Sequence, residues 1–408
     1  MKAYKYRIYP NKAQQEQIDK TLNAARWAYN FGLDHIKKAS EAELQRRKEE
    51  PESPKQKIPN YVAVSKLITE LKKTDKYAWL NEVPRDPITQ ALMNVDKAFK
   101  NFFTRIKKGE SQAGYPKFKK RGVGTQAFSI FCPSNKVDFA KSTLTITRIP
   151  NIKARFHRHF EGKIKTITIS KDTVGAYYAS ILVESEAMPA MVKREIKPET
   201  TISVHSGLRN LLTTSEGVKY DNPRTLKANE KRLAKAQRKL SKSELKYTVE
   251  TNEFGKERRV YSKNRDKLRL KVNKIHKKIA NIREHNLHNI SKDIVENERI
   301  ETICLDNFAI KRMVKDNRFS KNIHDAAWFK FKTMVKYKSE WLGKNVLESD
   351  VESPITQRCF ECKHIEEVKI PLNKLVWTCS NCGSKNDRDL NAAKNVKEIS
   401  LNKVSTKS

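Results

Sequence analysis

Hydrophobic positions recur with two different periods near the start of the chain. Between Lys2 and Tyr9 aromatic or apolar side chains stand at every second position, which predicts a β-strand that ends at Pro10. After this proline, apolar residues return every three to four positions, the spacing of a helix with one buried face. These residues are Ile18, Leu22, Ala25 and Tyr29. The chain is therefore predicted to open with a strand that leads into a helix.

The helical spacing returns twice before residue 110. One predicted helix covers 62–71, and another covers 88–103, with Leu92, Val95 and Phe99 on one stripe. The segment 38–59 is charged, poor in apolar residues and interrupted by Pro51 and Pro54, so it predicts a loop or a frayed helix end. The first hundred residues are thus predicted to form a helical bundle.

Between 128 and 184 the pattern becomes that of β-structure. Three runs rich in β-branched and aromatic residues are separated by turn signals, at 143–146, 164–169 and 177–183. They predict a small β-barrel or sheet. With the N-terminal strand as the first strand of this β domain, the helical bundle is an insertion into it.

Strands and helices alternate in the second half of the chain. Short apolar runs predict strands at 201–204, 211–214, 300–305 and 345–348. Two helices are predicted to pack as a hairpin, because Leu226, Leu233 and Leu240 lie seven residues apart and a second apolar stripe runs from 268 to 282. A further helix is predicted from Asp325 to Leu342. This chain order is that of an RNase H-like α/β domain.

Such nuclease domains hold two divalent ions between carboxylates on the first strand, the fourth strand and the last helix. Here the strand 300–305 is followed by Asp306, and Asp389 stands at the start of the last helix. The first carboxylate is missing, because none stands on the strand 201–204 or directly after it.

A zinc ribbon is predicted near the C-terminus. Two Cys-x2-Cys pairs are separated by sixteen residues, a spacing that directs four thiolates at one tetrahedral Zn²⁺. The four ligands are Cys359, Cys362, Cys379 and Cys382. Each pair needs a turn after its second thiolate; Gly383 suits that position, whereas Lys363 is less usual there. With four protein ligands the zinc is structural, and the alternative is two reduced redox pairs.

Basic residues outnumber acidic ones along most of the chain. The 408 residues include 84 Lys and Arg against 47 Asp and Glu, a formal net charge of +37, so we expect a polyanionic partner. Membrane attachment is the alternative, but the sequence has no window of about 18 apolar residues and no signal-peptide pattern at its start. The remaining cysteines, Cys132 and Cys304, are isolated, as in a reducing compartment. We expect a cytoplasmic, nucleoid-associated nucleic-acid binder.

One segment interleaves aromatic and basic residues. Gly114 to Arg121 contains Tyr115, Lys117 and Lys119, a composition suited to stacking on bases while neutralising phosphates. A solvated basic loop is an equally good interpretation of this segment.

A series of motifs runs along essentially the whole chain in a fixed order. They are Tyr6-Arg7-Ile8-Tyr9-Pro10, Gln14, Arg26-Trp27-Ala28-Tyr29-Asn30, Gly114-Tyr115-Pro116-Lys117-Phe118-Lys119, Asn281-Ile282-Arg283, Thr356-Gln357 before Cys359, and Asp389-Leu390-Asn391-Ala392-Ala393. In this order they resemble the TnpB family, RNA-guided nucleases encoded by insertion sequences and ancestral to type V CRISPR effectors.

The resemblance implies an α+β multidomain protein. Its expected parts are a β-barrel wedge domain at 1–10 and 115–195, a helical recognition domain at 11–114, an RNase H-like RuvC domain at 196–355 and 386–408 with a helical hairpin at 224–299, and a zinc ribbon at 356–385. The implied partners are a guide RNA and double-stranded target DNA beside a short adjacent motif. The oligomeric state stays open.

The resemblance also implies a degenerate nuclease centre. The family's first RuvC motif carries a catalytic Asp where this chain has His205, its second ends in Glu where this chain has Asp306, and Asp389 matches the third position. An imidazole offers Mg²⁺ one neutral lone pair and no charge, so we expect Mg²⁺ not to bind productively and cleavage to be absent or very weak. The alternatives are recruitment of Asp387 or Glu301, or a transition metal bound by His205.

Nucleic-acid contacts are expected at two places besides the basic aromatic segment. By resemblance, Arg85, Thr89 and Gln90 at the start of a helix contact the short adjacent DNA motif, and the alternative is that they only cap the helix. A second set, Arg26, Tyr29 and Asn30, is expected either to hold RNA or to support the bundle.

Three functions follow in order of preference. The zinc cysteines, basic surface and aromatic residues are intact while the first carboxylate is lost, which is typical of the nuclease-dead TnpB-like repressors (TldR) that block transcription by occupying guide-specified DNA. The second function is an active or weakly active RNA-guided DNA endonuclease. The third is an RNA-binding regulator that no longer engages DNA.

Overall fold

A computed structural model describes the chain except for residues 55, 111–112, 132–134, 185–193, 252–256, 308–316, 351–352, 372–373 and 406–408. The chain forms two compact units, Met1–Met188 and Pro189–Ser408. Cys132, which the sequence places among isolated thiols, lies outside the described residues, whereas Cys304 is fully buried. No helix in the described part of the chain is long and apolar enough to cross a membrane.

The first unit contains a helical bundle. Its elements are α1 (Lys12–Glu49), α2 (Tyr61–Leu71), a 3₁₀ helix (Asp75–Glu82) and α3 (Arg85–Lys107). The prediction of a loop or frayed end from residue 38 onward is wrong as far as Glu49, because α1 continues there. Good helix formers fill this stretch, and charge pairs such as Lys38 with Asp34, 2.8 Å apart, connect successive turns.

The first unit also contains a seven-stranded antiparallel sheet. Its strands are β1 (Lys2–Tyr9), β2 (Gln126–Ile130), β3 (Lys136–Asp138), β4 (Thr143–Ile146), β5 (Ile149–Arg155), β6 (Lys163–Lys171) and β7 (Tyr177–Glu184). Their order in the sheet is β2-β6-β7-β1-β5-β4-β3. The N-terminal strand β1 pairs with β5 on one side and β7 on the other, so it belongs to this sheet, as predicted.

One hydrophobic core serves both the sheet and the bundle. It includes Tyr6 and Ile8 of β1, Ile181 of β7, and Leu22 and Leu92 of α1 and α3. Sheet and helices therefore fold as one compact unit, although the bundle interrupts the strands in sequence.

The second unit is built on a mixed five-stranded sheet. Its strands are β8 (Thr201–Ser206), β9 (Asn210–Thr214), β10 (Lys219–Asp221), β13 (Thr302–Leu305) and β14 (Asn345–Glu348), in the order β10-β9-β8-β13-β14. The strands β8, β13 and β14 run parallel, whereas β9 and β10 are antiparallel to their neighbours. All four strands predicted in this half of the chain are present.

A long helical hairpin separates β10 from β13. It consists of α4 (Thr225–Glu244) and α5 (Lys263–Glu296), joined by a small two-stranded sheet of β11 (Tyr247–Thr251) and β12 (Glu257–Tyr261) that the sequence did not predict. The predicted stripes form a core of their own, with Leu233 of α4 against Val272, Ile275 and Ile279 of α5.

The helix predicted from Asp325 to Leu342 is two helices instead. The first is α6 (Asn317–Ala326) and the second is α7 (Trp328–Trp341). The break falls at Ala327, whose φ of 52° is left-handed, and a left-handed residue cannot continue a right-handed helix. Asp325 binds Arg283 of α5 at 2.7 Å and accepts a bond from the Leu226 backbone N–H of α4 at 2.9 Å.

The C-terminal part of the second unit combines a small ribbon with the last helix. The short strands β15 (Val376–Thr378) and β16 (Lys385–Asp387) pair in antiparallel fashion, and α8 (Arg388–Ser405) follows directly. Helix α8 packs on the five-stranded sheet: the Ser203 hydroxyl of β8 donates to the Ala393 carbonyl oxygen at 2.5 Å. This packing places the start of α8 near the end of β8.

Candidate functional site

Two neighbouring parallel strands place His205 beside Asp306. Val204 of β8 pairs in register with Leu305 of β13, so the residues that follow them lie side by side. His205 Nδ1 is 3.3 Å from Asp306 Oδ2, and both side chains are buried. The register of these two parallel strands therefore brings the two predicted positions together.

The carboxylate of Asp306 is surrounded by protein donors. The Ser206 backbone N–H donates to Oδ2 at 2.5 Å, and the Ser206 hydroxyl donates to Oδ1 at 3.0 Å. The ammonium of Lys332, on α7, lies 3.2 Å from Oδ1 and also donates to the backbone carbonyl of Asp306. With His205, three residues therefore face one carboxylate.

These neighbours keep Asp306 ionised. Complete burial by itself raises the pKa of a carboxyl group, because it disfavours the charged form. The adjacent His205 and the positive charge of Lys332 act in the opposite direction and outweigh burial, so the pKa of Asp306 is below its ordinary value.

Asp389 lies at the same edge of the sheet. A β-carbon placed on Gly207, just beyond the end of β8, would be 3.6 Å from Asp389 Oδ2. Asp389 is buried and its Oδ1 is 3.3 Å from Arg388 Nη1. The three positions expected for a nuclease centre are therefore held by the ends of β8 and β13 and the first turn of α8.

Neither of the alternative carboxylates, Asp387 and Glu301, is positioned to take the place of a carboxylate at residue 205. Asp387 accepts bonds from the backbone N–H groups of Asp389 and Leu390, which caps α8, and its other oxygen binds Lys219 at 2.7 Å. Glu301 precedes β13 and therefore stands at the opposite end of that strand from Asp306, about 16 Å along an extended chain.

The four predicted zinc ligands come together as a cluster. Their sulfur atoms lie within 4.8 Å of one another, with Cys359 3.8 Å from Cys382 and Cys362 3.6 Å from Cys379. Four Zn–S bonds of about 2.3 Å in a tetrahedron place the sulfurs about 3.8 Å apart. The cysteines thus fit Zn²⁺, for which they would supply a closed structural site.

Both cysteine loops turn through a left-handed residue, as the spacing requires. Gly383 has φ 71° and Lys363 has φ 66°, so the lysine adopts the conformation that the glycine adopts in the other loop. Lys363 binds Glu398 at 2.8 Å and lies 4.2 Å above the ring of Phe360.

A cavity in the first unit collects three of the predicted nucleic-acid contacts. Its volume is about 590 Å³, and its lining includes Arg26 of α1, Gln90 of α3 and Lys119 of the basic aromatic segment. The side chain of Gln90 also donates to Asn94 at 3.2 Å. Arginine, lysine and glutamine side chains suit a nucleic acid, because they can bind phosphates and the hydrogen-bonding edges of bases.

Tyr29 and Asn30 hold the basic segment in place. The side-chain amide of Asn30 donates to the Lys119 carbonyl at 2.9 Å and accepts from the Lys119 N–H at 2.7 Å, and the Lys119 ammonium lies 4.1 Å above the Tyr29 ring. These contacts support the basic segment, and contact of Tyr29 or Asn30 with RNA stays a prediction. Arg26 instead lines the cavity.

The other candidate residues are partly or fully accessible. Arg85 is exposed at the start of α3, and Thr89 follows one turn later. Burial first, and then the nearby charges of Arg85 and Arg148, lower the pKa of Lys72, so three basic residues lie near one another at the start of α3. Lys117 is exposed.

Tyr115 has one side against protein and one side in solvent. Its ring packs edge-on against Phe99 and Phe102, with centroids 5.5 and 5.3 Å away, while 41% of the residue stays exposed.

Sequence reasoning missed Lys332 and Ser206. A signal for Lys332 was present: it lies four residues after Trp328 and three before Val335, on the apolar stripe of its helix. A lysine among buried positions needs a partner, and Asp306 is that partner. Ser206 gave no comparable signal.

Three family models match parts of the chain. They are described as a helix-turn-helix domain (residues 1–45), a probable transposase (180–315) and a Cas12f1-like TNB domain (328–396). In the structure, residues 1–45 form β1 and most of the continuous helix α1.

Similar proteins span nearly the whole chain. A putative RNA-guided DNA endonuclease from Streptomyces pristinaespiralis is 32% identical over 97% of this chain and 88% of its own length. The putative RNA-guided DNA endonuclease InsQ from Escherichia coli (strain K12) is 26% identical over 97% of this chain and 91% of its own length. A cryo-EM structure of a Cas12f1–sgRNA–target DNA complex covers 98% of this chain and 99% of that chain, at 14% identity and a TM-score of 0.36.

Proposed function

Because this chain belongs to the TnpB family, whose relatives are named putative RNA-guided DNA endonucleases, we propose that it is a guide-RNA-dependent DNA-binding protein that does not cut. It occupies a target next to a short adjacent motif and represses transcription there. The observation that carries this proposal is His205, beside Asp306 at the centre of the nuclease position.

The sheet of the second unit supports an RNase H-like RuvC domain. Numbered within this domain, its strand order is 3-2-1-4-5, with the second strand antiparallel to the first and the fourth and fifth parallel to it. Asp306 follows the fourth strand and Asp389 opens the last helix, where nuclease carboxylates are needed. The central strand supplies His205 at the remaining place.

A histidine at this place removes the charge that metal-dependent hydrolysis requires. Mg²⁺ demands hard oxygen ligands in near-octahedral geometry, and a two-metal centre needs carboxylates that offset both dications. His205 is neutral or positive, and it already faces Asp306. The residues present therefore do not fit a productive pair of Mg²⁺ ions.

Features that serve binding are retained. The chain carries a formal charge of +37, and its four cysteines fit a structural Zn²⁺ that would order the ribbon at 356–385. Such charge draws a polyanion through release of its counterions and reads no sequence by itself. Sequence is then read by pairing between guide and target, while the protein recognises only a short duplex motif.

The adjacent motif is assigned to the positive start of α3. Arg85 and Gln90 offer the donors and acceptors that read guanine and adenine edges, and Thr89 suits either. The sheet of the first unit serves as the wedge domain and its bundle as the recognition domain. A protein of this kind acts on the chromosome, within the cytoplasmic nucleoid.

The test begins with the full chain purified together with its RNA. Sequencing that RNA identifies the guide, and plasmids with a matched or scrambled target then separate binding from cutting in the presence of Mg²⁺. We expect guide-dependent binding of the matched plasmid without nicking or linearisation. Robust cutting would establish the endonuclease alternative instead.

A third outcome would distinguish a regulator that acts only on RNA. Such a protein would retain RNA through purification but show no guide-dependent occupancy of DNA in cells. Chromatin immunoprecipitation, with transcript levels measured for genes next to the occupied sites, decides between this outcome and repression at a promoter.

A further inference from the structure

We propose that Lys332 is a second determinant of the inactive centre: its ammonium group takes the place of a metal ion against Asp306. This inference rests on the proposed loss of nuclease activity and adds that restoring the missing carboxylate alone does not restore metal binding.

The position of Lys332 is fixed by burial and packing. Its side chain is 8% exposed, on a helix whose neighbouring residues Trp328, Phe331 and Val335 belong to the hydrophobic core of the second unit. The charged end reaches Asp306 twice, through the side-chain oxygen Oδ1 and through the backbone carbonyl. A buried ammonium with such contacts has little freedom to turn away.

Protein groups lie against both carboxylate oxygens of Asp306. A carboxylate offers about four lone-pair positions. The Ser206 N–H and the His205 ring nitrogen face Oδ2, while the Ser206 hydroxyl and the Lys332 ammonium face Oδ1. A divalent ion would have to displace at least one of these groups before it could bind.

Lys332 differs from the other three groups because its side chain ends in an ammonium group that pairs with the carboxylate. A cation that approached Asp306 would meet this ammonium at close range in a site shielded from water, where charges interact strongly. Displacement of the ammonium would leave it buried without its counter-charge, which is unfavourable. Lys332 therefore opposes metal binding both by occupancy and by repulsion.

This arrangement predicts the behaviour of a partial reversion. In the variant His205→Asp, the ammonium gains a second carboxylate at close range and becomes more tightly held. The double variant His205→Asp/Lys332→Met keeps the carboxylates at 205 and 306 and removes the ammonium charge beside Asp306, while methionine fills a similar volume. Only the double variant offers a divalent ion an open, anionic site.

The experiment uses the full chain with its guide RNA and titrates Mn²⁺, followed by electron paramagnetic resonance. The proteins are the native chain, His205→Asp, the double variant, and the charge-preserving control His205→Asp/Lys332→Arg. We expect the double variant with methionine to bind Mn²⁺ about 100-fold more tightly than His205→Asp, and the arginine control to bind as weakly as His205→Asp. Thermal unfolding of each protein confirms that it is folded.

The outcomes separate this inference from the proposed function. If His205→Asp alone binds Mn²⁺ as tightly as the double variant, Lys332 is not a determinant and the inference is wrong, although the native chain stays inactive. If the native chain itself cuts a matched plasmid, the proposed function fails first. Equal, tight Mn²⁺ binding by the methionine and arginine variants also overturns the inference.

Discussion

The ammonium of Lys332 and the carboxylate of Asp306 form an ion pair of 3.2 Å in the interior of the second unit, with side chains 8% and 0% exposed. They are 26 positions apart in sequence. This pair places opposite charges in contact at the expected nuclease centre, and it has consequences for stability as well as for chemistry.

Replacement of Asp306 by asparagine is expected to destabilise the second unit strongly. The change removes the negative charge but leaves the Lys332 ammonium buried, and breaking one side of a buried pair costs about 3–5 kcal/mol. Urea unfolding followed by hydrogen exchange of peptides from 201–206 measures the effect. The exposed control Glu199→Gln should change stability by less than about 0.5 kcal/mol.

The stabilisation by Asp306 should depend on pH in one direction. Since its pKa is lower in the folded protein, the contribution is fully present above the unfolded value of about 3.9 and is lost as pH falls through the folded value. The stability difference between the native chain and Asp306→Asn should therefore shrink in acid below about pH 4. Urea midpoints at several pH values test this, and a difference that grows in acid would contradict it.

Gly207→Ala is expected to disturb the turn that links the candidate centre to β9. The new β-carbon would lie 2.6 Å from the Asn210 backbone oxygen, so the backbone must move, at a cost of about 1–3 kcal/mol. Gly114→Ala is the matched control, because a β-carbon there meets nothing within 4 Å. Melting temperatures of the two variants should differ, with only Gly207→Ala lowered.

Removal of zinc should unfold the ribbon and expose Trp377. This residue is 3% exposed and packs with Cys359 and Cys379, so its environment depends on the metal cluster. Structural zinc contributes about 10–16 kcal/mol of apparent folding free energy in finger peptides. A strong chelator should release one zinc per chain and shift tryptophan fluorescence to longer wavelength, and the shift should be absent in Trp377→Phe.

The left-handed turn at Lys363 predicts that the glycine variant is more stable than the alanine variant. Both Lys363→Gly and Lys363→Ala lose the contacts with Glu398 and Phe360, but only alanine keeps the strain of φ 66°. Glycine should therefore be the more stable of the two by about 1 kcal/mol. Resistance of bound zinc to a chelator, compared at increasing temperature, measures the difference.

Asn30 is expected to act on nucleic-acid binding through Lys119. Asn30→Ala removes two hydrogen bonds to the Lys119 backbone, a loss of about 1–3 kcal/mol of local stability, and frees the segment beside the cavity. Asn30→Asp keeps the acceptor and should be intermediate. Hydrogen exchange of the segment 117–121 should increase in that order, together with weaker binding of the guide RNA; unchanged exchange would refute the supporting role.

Much of the secondary structure could be predicted from the sequence, because it depends on residues that are close together in the chain. The strand Lys2–Tyr9, the strands at 143–146 and 345–348, and the hairpin of α4 with α5 follow from periods of two and of three to four residues. The errors have local causes as well. Charged helix formers extended α1 to Glu49, and a left-handed Ala327 divided a helix that looked continuous.

The candidate site could be predicted from the sequence only in part. Cysteine spacing located the four clustered cysteines, since two short turns bring each pair together without help from the rest of the fold. Asp306 and Asp389 were proposed because each stands at the end or start of a predictable element, whereas His205 was proposed from the resemblance to the TnpB family; the roles of all three stay predictions. Their mutual arrangement required the parallel register of β8 with β13 and the packing of α8 on the sheet.

By itself, therefore, the sequence determined most of the elements, the four cysteines that cluster and the lack of a carboxylate at one expected position, all of which are encoded by residue type and short-range spacing. The tertiary structure alone decided that Lys332 stands against Asp306 and that Asn30 supports Lys119 across 89 residues of chain. The physical reason is that such contacts form only when distant elements pack, and burial then makes a paired charge favourable and an unpaired one costly.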